Sequence, residues 1–343
     1  MLEKTKLLLK DYKAGTFVDD SVQCYDEDEI RELGMTLANL VYSPSKLRKR
    51  LQDFGATITR TDFYSELPLI AEVEETFRSD NNIDFGSVFP DNNFLLDYLA
   101  ELAVYSSEFD PPLTSSKSTE FSWNHGPFSY SDAVAYYSMI RKNKPASIVE
   151  IGSGSSTLIA IQALQRNGGG RLIAIEPYPQ DFLKLIPSSI ELVQLRAQDV
   201  KLEFLNNALT DNSILFIDST HTVRHNSDCL HIYLRLLPYI EKNIFVHVHD
   251  IYLPSTLPIE MMRDRNLFWN EQYLLCAYLA RNPTTKVLYG SRYHYHRNSE
   301  RLREFMQGKF PHGGASFWFF QSTSNIGLKH TTTLPQISSG ESQ

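Results

Sequence analysis

Residues 147–160 read SIVEIGSGSSTLIA, a β-branched apolar run that ends in an acid and two spaced glycines before a second apolar run opens. Ile148, Val149 and Ile151 surround Glu150 in the pattern of a parallel strand buried on both faces, where a carboxylate needs a specific partner. Gly152 and Gly154 permit a sharp turn and a close approach of backbone to ligand. Ser155, Ser156 and Thr157 suit the cap of a helix over 156–165, whose free N–H groups would face an anionic part of the ligand. Gly168, Gly169 and Gly170 then form a stop. A second strand at 171–175 ends in Glu176, near the spacing at which an acid meets ribose hydroxyls in dinucleotide folds. The expectation is a strand, turn and helix that cradle a nucleotide-like cofactor. Nicotinamide and S-adenosylmethionine sites share this arrangement, although Thr157 stands where the dinucleotide fingerprint has its third glycine.

The alternation continues along the chain. Strands are expected at 190–195, at 213–217 ending in Asp218, and at 243–249 ending at Asp250, with helices near 179–185, 201–208 and 226–237. Residues 251–266 read as a loop, 268–281 as a helix, and 286–289 and 316–320 as closing strands. Strand and helix in turn give an α/β fold of the Rossmann-like, doubly wound kind. The region before it reads as mainly helical, with helices at 26–40 and 94–105, and a further helix at 131–141 leads into the first core strand. Three parts follow: a helical accessory or lid region at 1–115, a cofactor-binding domain at 116–321, and a loose Ser- and Thr-rich tail at 322–343. The aromatic turn at 63–68 reads as a lid, a dimer contact or a turn packed on the core.

A chain of 343 residues can bury a large core, and its 42% hydrophobic content is ordinary for a globular protein. A net charge of −8 argues against a broad electrostatic grip on nucleic acid. Cys24, Cys229 and Cys276 lack the paired spacing of a disulfide framework or a zinc site. With no apolar run near the roughly 18 residues of a membrane span, a cytoplasmic protein acting on a small molecule is expected, with self-association left open.

In doubly wound sheets, ligands bind beyond the carboxyl ends of the strands. Those ends here carry Glu150, Glu176, Asp218 and the pair His249-Asp250. The motifs IVEIGSGSST, IAIEP, ILFIDSTH and FVHVHDIYLP together resemble the class I S-adenosylmethionine-dependent methyltransferases, and among them the bacterial branch called methyltransferase family 24. FYSELP, the DA of SYSDA, FWNEQYLL and GGASFWF strengthen the resemblance, which runs over 61–320. It implies a seven-stranded sheet with an antiparallel last strand. It also implies a cofactor over Gly152 and Gly154, near Ser156 and Asp218, with its ribose on Glu176 and its methionine end near Glu150. Asp199 falls either near the adenine or at a helix cap.

A sulfonium methyl is already activated by its charge, so the protein must align an acceptor and remove its proton. Two routes fit an alcohol acceptor. His221 or His249, with an ordinary pKa of about 6.5, serves as general base. Alternatively, a divalent metal on Asp218 and Asp250, with His249, lowers the acceptor's pKa. The resemblance implies metal at these strand ends in related sugar O-methyltransferases, and a histidine in the set favours manganese, iron or zinc over magnesium. His247 reads as a packed histidine, and His294 and His296 as a strand edge or solvated turn. Asn270 and Glu271 either reach the acceptor or terminate a helix. His125 is a candidate substrate contact, and Arg263 and Arg265 suit an anionic acceptor. The function expected is O-methylation of a small molecule, a sugar or natural-product intermediate. A nicotinamide oxidoreductase and a non-catalytic cofactor-binding protein of the same fold are its rivals.

Overall fold

In the computed structural model the apolar run at 147–160 becomes a strand and a helix that together organise a seven-stranded sheet. The structure describes residues 26–78, 85–124, 128, 130–186, 188–309 and 313–326. It divides into two units, Met1–Glu75 and Thr76–Gln343.

The N-terminal stretch holds three described helices, α1 (Glu27–Val41), α2 (Ser45–Asp53) and α3 (Ile70–Arg78). Asp26 and Glu29 close α1 with a reciprocal capping box, at 2.8 and 3.2 Å. Neither α1 nor α2 buries a residue. In the aromatic turn at 63–68, Phe63 is 87% exposed and Tyr64 is 65% exposed within this structure.

The second unit begins well before residue 115. Its first helix, α4 (Asn92–Ser106), contributes Tyr98, Leu99 and Leu102 to the main core. The next, α5 (Tyr130–Asn143), is buried from Ser131 to Ile140 and packs between α4 and α6 (Ser155–Asn167). Then follow β1 (Ser147–Ile151), β2 (Arg171–Ile175), α7 (Asp181–Lys184), β3 (Glu191–Val193), α8 (Leu202–Ala208), β4 (Ile214–Ile217) and α9 (Asp228–His231). The chain closes with β5 (Ile244–Val248), α10 (Ile259–Arg263), α11 (Glu271–Leu279), β6 (Thr285–Gly290), α12 (Ser291–Arg297), α13 (Ser299–Phe305) and β7 (Phe317–Gln321). The sheet order is β3-β2-β1-β4-β5-β7-β6. Strands β1 to β5 pair in parallel, and β7 runs antiparallel to both β5 and β6.

The period-two alternation of buried strands sets two cores. Ile148 and Phe216 face Tyr136, Met139 and Leu158 on one side of the sheet, while Val149, Ile151, Leu215 and Ile217 face Tyr233 and Leu236 on the other. Several elements depart from expectation. Residues 251–266 contain α10, and the helix expected over 226–237 keeps regular turns only across α9 before widening at Ile232–Leu236. His294 and His296 lie on α12, not on a strand edge or in a solvated turn. Buried His294 packs 5.2 Å from the Tyr289 ring, and burial pushes its pKa down to about 4. Residues 322–326 are tied to the sheet through Ser322 N–H to Thr284 O and Ile326 N–H to Pro283 O, at 2.8 and 2.7 Å. The rest of the expected tail lies outside the described residues. No described helix is long and apolar enough to cross a membrane.

Candidate active site

The strand ends stay in register one residue beyond the sheet. Gly152 N–H donates to Ile175 O, Asp218 N–H to Ile151 O, Glu176 N–H to Val193 O and His249 N–H to Ile217 O, all at 2.9–3.1 Å. Glu176, Asp218 and His249 are thereby set along one edge by backbone bonds alone. Gly152 makes this possible: its φ is +85°, and a Cβ there would lie 1.8 Å from the Asp218 carbonyl oxygen. No other residue fits.

A cleft of about 310 Å³ opens along this edge, lined by Gly152, Glu176, Tyr178, Gln198, Asp218 and Thr220 among others. The Glu176 carboxylate accepts from Ser153 N–H at 3.3 Å and Tyr178 N–H at 2.8 Å, joining the turns that follow β1 and β2. Asp228 fixes the opposite wall by accepting from Thr220 N–H and its hydroxyl, at 2.9 and 2.7 Å. Gly154 leaves open space where a Cβ would stand.

Glu150 and Ser156, expected against the cofactor, are buried and do not line this cleft. The period of the strand turns Glu150 toward α5 and α6, where it accepts from the Tyr136 hydroxyl at 2.9 Å and the Thr157 hydroxyl at 2.5 Å. Burial pushes its pKa up to about 7 against the pull of those two bonds. Asp199 pairs with Arg196 at 2.8 Å, and its neighbours Ala197 and Gln198 line the cleft in its place.

Asp218 belongs to this cleft and also to a second cluster. His221, held at a φ of +57° and buried, places Nε2 3.4 Å from both Asp218 Oδ1 and Asp250 Oδ2. Its Nδ1 lies 2.8 Å from Glu271 Oε2, and the other Glu271 oxygen accepts from the Tyr233 hydroxyl at 3.0 Å. Burial lowers the pKa of His221, but Asp218 and Glu271 outweigh it and carry it up to about 10. Asn270 locks the turn, taking Val223 N–H at 2.6 Å while its own N–H donates to His221 O at 3.0 Å. Asn270 and Glu271 thus hold His221 from behind, at the start of α11.

His249 enters from the other side. Its Nδ1 is 3.7 Å from Asp218 Oδ2 and 3.8 Å from Asp250 Oδ1, and its Nε2 is 3.5 Å from Asp132 Oδ2 without forming a hydrogen bond. Burial lowers its pKa, and the surrounding carboxylates reverse this to about 9. The same two histidines hold Asp218 below its ordinary range against its burial, whereas burial leaves Asp250 above its own. Asp132 accepts from Ala315 N–H, Ser316 N–H and the Ser291 hydroxyl at 2.8–3.1 Å. A Cβ on Gly314 would collide with that carboxylate.

The structure therefore gathers Asp218, His221, His249 and Asp250. Among the described residues, Asp218, His221 and Asp250 offer ligand atoms all within 4.8 Å of one another, so His221 converges more closely than the expected His249. His247 packs between Phe216 and Trp318, at 4.3 and 4.7 Å, and bonds Ser316. Arg263 is exposed and paired with Asp264 at 2.6 Å, and Arg265 is exposed. His125 lies outside the described residues. Sequence reasoning gave no role to Asp132, Tyr233 or Trp269, whose ring lies 4.5 Å from His221. The only signal for Asp132 was its place in SYSDA.

A family model described as a methyltransferase domain matches residues 149–251. Over 174 residues the chain is 34% identical to an uncharacterised protein of Archaeoglobus fulgidus, covering 48% of this chain and 78% of that one. Residues 149–251 are thus a methyltransferase domain, and the sheet has the fold of the class I S-adenosylmethionine-dependent methyltransferases. Similar solved structures include the plantazolicin methyltransferase BamL with a triazolic analogue and SAH, at 13% identity, 68% of this chain, 99% of that chain and a TM-score of 0.33. A methyltransferase from Geobacter sulfurreducens gives 13%, 74%, 100% and 0.33, and the O-methyltransferase from Bacillus cereus with SAH gives 12%, 74%, 100% and 0.32. The methyltransferase match supports S-adenosylmethionine over the nicotinamide cofactor that the glycine turn alone left open.

Proposed function

We propose that this methyltransferase transfers the methyl group to a hydroxyl oxygen of a small molecule, with the donor over Gly152 and Glu176 and the acceptor beside Asp218, His221, His249 and Asp250. The observation that carries this reading is Asp218, which lines the donor cleft and also stands 3.4 Å from His221. A donor methyl on one side of that carboxylate meets an acceptor on the other.

The cluster fits a divalent cation. His221 has the arrangement of a ligating histidine, one ring nitrogen fixed by a buried carboxylate and the other facing two more. Asp218, His221 and Asp250 would hold the ion, with His249 Nδ1 next to them. A bound cation supplies the positive charge that lowers the pKa of an acceptor hydroxyl. The carboxylates of Asp218 and Asp250 favour the protonated form of His249; a cation that took up their charge would lower its pKa again, and His249, backed by Asp132, could then take the acceptor's proton at Nδ1. Trp269, whose ring lies 4.5 Å from His221, packs against the apolar cluster of Tyr252, Leu257 and Met261 and supplies an apolar wall on this side.

The test is a panel of hydroxylated small molecules assayed for S-adenosylhomocysteine, with and without chelator and added manganese, zinc or magnesium. Expected are O-methyl products, activity lost to chelator and restored by metal, reduced metal content in His221→Gln, and a lower kcat at full metal content in His249→Gln. Methyl groups found on nitrogen, or a rate untouched by chelator, would overturn the O-directed or the cation part respectively.

A further inference from the structure

A second cavity, of about 260 Å³, lies beyond the cluster in the same unit, with Tyr252, Ser255, Leu257, Arg292 and His296 in its wall. The wall holds two basic residues and no acid. Arg292 Nε is buried without a hydrogen-bond partner, and the guanidinium lies over the rings of Tyr252 and Tyr295 at 4.8 and 5.7 Å. Arg292 forms no ion pair among the described residues. A half-buried guanidinium packed on aromatic rings, with donors to spare, is held ready for a planar or tetrahedral anion.

The cavity is linked to the cluster along three chain segments. Tyr252 follows Asp250 by one intervening residue, and its N–H donates to Gln272 Oε1 at 3.0 Å, next to the Glu271 that fixes His221. Leu257 and Tyr252 share an apolar cluster with Trp269, whose ring lies against His221. Arg292 adjoins Ser291, which bonds the Asp132 behind His249 at 2.8 Å.

We propose that Arg292 recognises an anionic group, carboxylate or phosphate, on the methyl acceptor, and so restricts the enzyme to acidic small molecules. This inference rests on the acceptor side assigned above. Arg292 is a specificity residue, and the anion role that Arg263 and Arg265 suggest by sequence passes to a cavity they do not line.

The test uses the full chain loaded with S-adenosylhomocysteine. Calorimetry with inorganic phosphate, glucuronate and neutral glucose is run on wild type, Arg292→Lys and Arg292→Gln. At least one anion is expected to bind wild type and to lose roughly ten- to a hundredfold in affinity in Arg292→Gln, with a smaller loss in the Lys variant. Glucose is expected to show no dependence on residue 292. Phosphate responding alone identifies a phosphorylated acceptor, and glucuronate responding alone a carboxylated one. Equal anion binding in wild type and Arg292→Gln, or none in wild type, overturns the inference. Should Arg292→Gln fail to fold, phenylglyoxal labelling of Arg292 in wild type replaces it; protection by either anion supports the inference and unchanged labelling overturns it. Acceptor methylation on oxygen is scored separately. Nitrogen methylation with Arg292-dependent anion binding removes the proposed chemistry and not this site, while oxygen methylation without such binding removes only this site.

Discussion

The strand-end cleft, proposed for the donor, and the His-Asp cluster meet at Asp218, yet they are built in opposite ways. The cleft is made by backbone: strand ends held in register, a turn that only glycine can make, and a glutamate fastened by two N–H groups. The cluster is made by side chains drawn from α5, the turns after β4 and β5, and α11, with Asp132 held in turn by backbone N–H groups on the approach to β7. A backbone site tolerates change at most of its side chains and fails at the one position where a Cβ cannot fit. A side-chain site degrades by steps as each partner is removed.

That contrast breaks first at Gly152. Gly152→Ala is expected to abolish binding of S-adenosylhomocysteine in calorimetry and to cost roughly 2–5 kcal/mol of stability, through strain at positive φ and collision with Asp218. Binding preserved in this variant would show that the cleft relaxes as easily as the cluster. Next comes Asp218→Asn, which keeps the size and loses the charge. A fall of roughly a hundredfold or more in kcat is expected, with a smaller change in donor affinity. An effect confined to the donor's KM would assign Asp218 to the cleft alone.

Glu271→Gln sharpens the cluster side. The amide oxygen of the substituted side chain can still accept from the imidazole, so a decrease of roughly ten- to a hundredfold in metal affinity is expected, read as a shift of the activity curve along metal concentration. A fall in kcat that saturating metal does not restore would place Glu271 in proton transfer instead. The smallest effect is a slope. Because burial raises Glu150 to about 7, its contribution to stability is full below the unfolded pKa near 4.5 and is lost as pH rises through 7. Glu150→Gln should remove a decline on the order of 1–3 kcal/mol between those values in denaturation curves. Parallel curves for the two proteins would mean that Glu150 is ionised in the fold.

Much of the cleft was legible in the sequence because its determinants are local. A buried parallel strand needs a β-branched run, its turn needs glycine, and the acid that follows falls at the strand's carboxyl end. The His-Asp cluster and the cavity beyond it were less legible. SRYHYHR alternates like a strand, but the chain turns at Gly290 and winds into α12, placing Tyr293 and His294 inside and His296 outside. Asp132 looks like any helix-start acid, and its partners Ala315 and Ser316 lie 183 and 184 residues away. Glu150 was visible as a buried acid needing a partner, but the choice between cofactor and core depended on Tyr136 reaching it across α5.

The sequence by itself determined the sheet, the Gly152 turn, and the acids and histidines that end its strands, since periodicity, steric freedom and burial act over a few residues. The antiparallel place of β7 came with the family resemblance. Only the tertiary structure decided which of those groups face one another: that His221 and not His249 is pinned by Glu271, that Glu150 turns into the core, and that Arg292 has no ion-pair partner among the described residues. Such facts are set by side chains meeting over long chain separations, where pairing and desolvation, and not local propensity, fix the outcome.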